Sequence, residues 1–116
     1  MTKHSGGCHC GKVRFNVDMD LVGLISCNYS ICLKKGTILG FVKENQFSLV
    51  SGKNDLSDYQ FNKKQIHHLF CKNCGVTSFG SGTDQDGSKI YAINVRCLDN
   101  IDLETLQVNP VDGKSF

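Results

Sequence analysis

The sequence predicts a mainly β fold of antiparallel sheets stapled by a four-cysteine metal site, on three observations. Twelve glycines stand against a single proline in 116 residues, a composition of many tight turns and so of many short strands. Apolar and polar residues alternate strictly from Lys12 to Asp18, with Val13, Phe15 and Val17 on one face and Lys12, Arg14, Asn16 and Asp18 on the other. Seven cysteines include two close-set pairs, Cys8-His9-Cys10 and Cys71-Lys72-Asn73-Cys74, each followed by a glycine.

Along the chain, the Lys12 to Asp18 segment reads as a half-buried strand. Further strands are expected at Leu21 to Ser26, Ile38 to Lys43, Phe47 to Ser51, Tyr59 to Asn62, Gln65 to Phe70, Val76 to Gly80 and Ile90 to Val95. Clusters of Gly, Asn, Asp and Lys separate them at spacings of about 8 to 12 residues, which is the rhythm of antiparallel β-structure. Two places suit a helical turn: Ser30 to Lys35, and Asp99 to Leu106, where Asp102 is placed to cap Leu103-Glu104-Thr105-Leu106. Gly80 to Gly87 reads as a solvated surface loop, since Asp84-Gln85-Asp86-Gly87 lacks the later bidentate acid of a calcium loop. Tyr59, Phe61, Phe70 and Phe79 are β-formers and are assigned to the core. No repeat or linker divides the chain, so residues 1–116 are read as one domain.

Composition narrows the function classes. A chain this short hides roughly 65% of its unfolded surface, enough for a small core. The longest apolar stretch, Leu21 to Ile25, is broken by Gly23 and falls far below the ~18 residues of a spanning helix, so no membrane partner is expected. The start, Met1-Thr2-Lys3-His4-Ser5-Gly6-Gly7, has no apolar run to act as a secretory signal, which makes the cytoplasm the expected compartment. A net charge of +2 argues against nucleic acid as a partner. Oligomeric state leaves no mark in the sequence.

The cysteines carry the chemistry. Zinc takes four ligands tetrahedrally, and two turns that each present a pair of thiolates would complete one shell from Cys8, Cys10, Cys71 and Cys74. A disulfide between Cys8 and Cys10 would close a strained ring over one residue. The alternative is four reduced thiols serving as small hydrophobes. His4 and His9 are spare ligands that four thiols make unnecessary. With no open coordination position, this zinc is expected to be structural, and its binding free energy of ~10 to 16 kcal/mol can offset a marginal core.

A second constellation, Cys27-Asn28-Tyr29-Ser30-Ile31-Cys32-Leu33-Lys34-Lys35-Gly36, follows an apolar strand. Together with Gly6-Gly7-Cys8-His9-Cys10-Gly11-Lys12-Val13-Arg14-Phe15, Phe70-Cys71-Lys72-Asn73-Cys74-Gly75-Val76, Val95-Arg96-Cys97-Leu98-Asp99 and Asn109-Pro110-Val111-Asp112-Gly113, it resembles the glutathione-dependent formaldehyde-activating enzyme and centromere-protein-V-like family. The resemblance implies a β-tent of antiparallel sheets and a structural zinc on Cys8, Cys10, Cys71 and Cys74. It further implies a catalytic zinc held by a C-x-C-x2-C motif, and carbon–sulfur lyase activity on the glutathione–formaldehyde adduct, S-hydroxymethylglutathione, or a related thiol adduct.

Here the outer two cysteines of that motif are Cys27 and Cys32, and Tyr29 stands at the middle position. A phenol with a pKa near 10 is a poor substitute for a thiolate, so a second zinc at Cys27 and Cys32 is expected to be weak or absent. A ligand from His67, His68 or Cys97 could rescue it, and a disulfide or free reactive thiols are the remaining outcome. Strand alternation puts His67 and His68 on opposite faces, so at most one would serve. Cys97 is expected to be a core thiol. Lys34 and Lys35 could attract the carboxylates of a glutathione-like substrate, while a lysine doublet on a turn is more usually a solvated face. The competing reading is a non-catalytic binding module that kept its structural zinc and lost the second.

Overall fold

The computed structural model describes residues 2–27, 30–60 and 66–111, which places Tyr29, Phe61, Asp112 and Gly113 outside the described residues. Ten strands form three sheets. The first joins β1 (Thr2–Gly7), β2 (Arg14–Met19) and β5 (Phe47–Ser51) in the order β1-β2-β5. The second has the order β10-β3-β4-β9-β8, built from β3 (Leu24–Cys27), β4 (Leu39–Lys43), β8 (Phe79–Thr83), β9 (Lys89–Asn94) and β10 (Val108–Val111). A two-stranded ribbon of β6 (Leu56–Tyr59) and β7 (His68–Cys71) completes the fold. The one α-helix among the described residues is α1 (Ser30–Lys35), as its sequence predicts. Among the described residues no helix is long and apolar enough to cross a membrane.

The alternation in β2 sets the core. Val13, Phe15, Val17 and Met19 are buried, in one cluster with Leu24, Val42, Phe79 and Ile93 from the second sheet and Val95 from the turn after β9. The Phe15 ring stacks on Phe47 with centroids 5.5 Å apart, Phe47 stacks on Tyr91 at 4.1 Å, and the Phe79 ring meets Phe15 edge-on at 5.9 Å. Burying a phenylalanine of this kind contributes about 1.5–3 kcal/mol, and the offset ring pairs add to it.

Several expectations change. The strand Thr2–Gly7 is unannounced by its sequence, because its status comes from a full antiparallel ladder to β2 running from Thr2↔Met19 to Gly7↔Arg14. Gly80 to Thr83 belong to β8 and not to a loop; the turn of the β8–β9 hairpin is closed by Gly87 N–H donating to the Asp84 carbonyl at 3.0 Å. Phe79 is buried as expected and Phe70 is half-buried, but Tyr59 lies 51% exposed, because the ribbon that carries it packs on one side only. The sheets are antiparallel with one exception: β10 lies parallel to β3, from Val108↔Leu24 to Val111↔Cys27. A parallel pair needs a long crossover, and here most of the chain supplies it. Pro110 is tolerated because β10 is an edge strand. The turn at Leu103–Thr105 is a 3-10 helix, with the Asp102 side chain accepting from the Glu104 amide at 3.1 Å.

Candidate metal centre

Two turns of the same design face each other. In the first, the Cys8 amide donates to the Val13 carbonyl at 3.0 Å, the Gly11 amide donates to the Cys8 carbonyl at 3.3 Å, and Gly11 takes φ +81°. In the second, the Cys71 amide donates to the Val76 carbonyl at 3.0 Å, the Gly75 amide donates to the Cys71 carbonyl at 2.8 Å, and Gly75 takes φ +80°. Each glycine stands where the backbone enters the left-handed region that side chains other than glycine's rarely adopt. That is the physical reason a glycine closes both cysteine pairs.

The turns bring the four sulfurs of Cys8, Cys10, Cys71 and Cys74 within 4.8 Å of one another. Cys8 Sγ lies 3.6 Å from Cys10 Sγ, and Cys10 Sγ lies 3.7 Å from Cys71 Sγ. A tetrahedral ion with metal–sulfur bonds of about 2.3 Å requires sulfurs about 3.8 Å apart, so these edges fit an ion and are far too long for a disulfide. Backbone amides prepare the thiolates. Val13 N–H donates to Cys8 Sγ at 3.3 Å. The amides of Cys10 and then Val76 bring Cys74 down to about 6, and the Asn73 side chain followed by the Lys12 amide lowers Cys10. The four residues can therefore hold a metal ion, and four sulfurs suit zinc or iron. His9 is exposed, and neither it nor His4 joins the cluster.

The site also ties the fold together. Cys8 and Cys10 connect β1 to β2, whereas Cys71 ends β7, so the ion would join the first sheet to the ribbon. Nearby, Arg14 pairs with Asp99, and the Asp99 amide donates to the Ser5 carbonyl at 2.8 Å.

The second constellation is built differently. Cys27 ends β3 and Cys32 lies on α1, and the two thiols are hydrogen-bonded neighbours; burial first, then Cys27, pushes the Cys32 thiol up. Among the described residues, the four-sulfur cluster is the one place where three or more potential ligand atoms converge. Cys97 lies elsewhere, donating to the Thr77 carbonyl at 3.5 Å and accepting from Asn94 Nδ2 at 3.6 Å, with its thiol raised by burial. His67 is held by Asp58 through Nδ1. His68 is lowered by burial and then by the charge of Lys35, and Lys35 in turn feels the charge of Cys32. Among the described residues no third ligand atom joins these two thiols, whereas a three-ligand zinc with one open position needs one.

The structure separates the two lysines that the sequence offered together for carboxylate contact. Lys34 is exposed, whereas Lys35 Nζ is buried without a hydrogen-bond partner and its pKa is lowered by that burial. Only the helical phase of α1 distinguishes the two.

Comparison with known proteins places this geometry. A family model described as glutathione-dependent formaldehyde-activating enzyme matches residues 3–112. A crystal structure of a Rhodobacter sphaeroides protein, determined as a structural-genomics target, is similar with a TM-score of 0.82 and 26% sequence identity, over 92% of this chain and 99% of that one.

Proposed function

Because this chain belongs to the glutathione-dependent formaldehyde-activating enzyme family, we propose that it makes or breaks the adduct between a small thiol such as glutathione and formaldehyde, as a carbon–sulfur lyase. In the forward direction the thiol sulfur bonds to the aldehyde carbon, and the carbonyl oxygen takes up the thiol's proton. The reverse step releases thiol and aldehyde. The observation that carries the reading is the family match over nearly the whole chain, together with a thiol pair, Cys27 and Cys32, beside a buried cation.

We assign zinc to Cys8, Cys10, Cys71 and Cys74, as a structural ion that leaves no coordination position open. The chemistry belongs to the other pair, where the chain's own groups bind and orient the thiol adduct. A reducing cytoplasm suits a protein with seven cysteines and no disulfide.

The test is the rate of exchange between 13C-formaldehyde and its glutathione adduct, followed by NMR. The protein is expected to accelerate exchange, and Cys32→Ser to lower that acceleration about tenfold or more while keeping the fold and the structural zinc. An exchange rate equal to the uncatalysed one would overturn the lyase reading and favour a zinc-stabilised binding module.

A further inference from the structure

The last turn of α1 carries a charge whose role the fold does not explain. Lys35 Nζ is buried and makes no hydrogen bond. Its described electrostatic neighbours are Cys32 and His68, neither of which is a carboxylate. The carboxylate that acts on His68, Asp58, is already engaged by His67 Nδ1. A buried ammonium without an anion is costly, by several kcal/mol in general, and a solvated alternative for so flexible a side chain is close at hand, as Lys34 next to it demonstrates. The ammonium's N–H donors meet no acceptor, one helical turn from Cys32.

We propose that Lys35 is the anion-recognition residue of the Cys27–Cys32 site, receiving a carboxylate of a thiol-bearing ligand and doing so without a second metal ion. The choice of carboxylate follows from ordinary acidities. Near pH 7 a small thiol, with a pKa near 8.5, is mostly protonated, whereas a carboxyl near 3.5 is fully ionised and is the anion at hand. A carboxylate offers two oxygens to the ammonium, and the resulting charge-assisted bonds are strengthened by burial. The ligand's sulfur would then lie beside Cys27 and Cys32. This inference rests on the thiol-adduct reading for its choice of ligand, but the experiment below separates the two.

Binding is measured by calorimetry on the full chain loaded with one equivalent of zinc, using three probes. Glutathione has both groups, S-methylglutathione keeps the carboxylates with the sulfur blocked, and glutathione dimethyl ester keeps the thiol and loses the carboxylates. Glutathione and S-methylglutathione are expected to bind, and the diester to bind about tenfold more weakly or worse. Lys35→Met should weaken the first two about tenfold or more, Lys35→Arg should retain them within about threefold, and Lys34→Met should change them by less than about twofold. The proposal is overturned if Lys35→Met binds S-methylglutathione as the unmodified protein does, if Lys35→Arg loses as much as Lys35→Met, if the diester binds as well as glutathione, or if no probe binds. Carboxylate binding through Lys35 in a protein that does not accelerate formaldehyde exchange would leave this inference standing and remove the lyase reading. Acceleration that survives Lys35→Met unchanged would do the reverse.

Discussion

Two groups of cysteines in one short chain face opposite fates. At Cys8, Cys10, Cys71 and Cys74, two matching turns aim four sulfurs at a common point and backbone amides stand ready to share their negative charge. At Cys27 and Cys32, two thiols meet at the junction of a strand and a short helix, burial holds the Cys32 thiol protonated, and the nearby positive charge is a lysine. The contrast teaches that thiols become a metal site through the backbone that carries them. Spacing matters because it selects a turn, and the turn supplies both convergence and hydrogen bonds to sulfur.

The largest effect expected from breaking that contrast is at Cys71, which is fully buried at the centre of the first site. Cys71→Ser removes one of four thiolates, and because metal binding and folding are coupled, it is expected to unfold the domain at room temperature and release its zinc. Circular dichroism melting with elemental analysis measures this. A Cys71→Ser protein with unchanged melting temperature and metal content would mean that packing alone holds the two turns together.

A smaller change should make the second site resemble the first. Tyr29→Cys adds a third thiolate between Cys27 and Cys32 in the sequence, and zinc per chain is expected to rise from about one toward about two, with the added ion easily chelated. Two tightly held zincs in the unmodified protein would show that another ligand has already replaced the missing thiolate.

The smallest effect compares the metal tie with an ionic one beside it. Asp99 is lowered by its hydrogen bond to Arg14, and a carboxyl depressed on folding contributes stability that is present above its ordinary value of 3.8 and is lost as pH falls through the depressed value. Both partners are more than a third exposed at 36% and 45%, so solvent screening limits the pair to under ~1 kcal/mol at neutral pH. Asp99→Asn is therefore expected to lower the melting temperature by a few degrees at pH 7 and by less at pH 3, where part of the contribution is gone. Thermal melts at the two pH values measure it, and an equal loss at both would assign the cost to the Asp99 backbone turn instead of its charge.

Much of this was readable in one dimension because it depends on local spacing. Val13, Phe15 and Val17 share a face whatever the rest of the chain does, since a strand has a period of two. Cys8 and Cys10, like Cys71 and Cys74, announce their turns through the glycines that close them. Asp102 caps its turn because a short acid can reach an amide two residues on. Other features depend on partners distant in sequence. Thr2–Gly7 has no apolar pattern, and becomes a strand because β2 offers it a ladder of backbone hydrogen bonds, which are blind to side-chain type. Gly80 and Gly82 resemble a loop until β9 pairs with them, and a side chain at Gly80 would meet the His67 carbonyl at 3.0 Å, where the ribbon crosses the sheet edge. The parallel placement of β10 on β3 joins residues more than eighty positions apart. Lys34 and Lys35 are the same residue type side by side, yet one is solvated and the other is half-buried, with its Nζ out of water. Composition and spacing settle which groups can exist in a local turn or on one face of a strand. Which of two identical side chains is stripped of water, and what then stands beside it, depends on how distant segments pack, because burial is a property of the assembled chain.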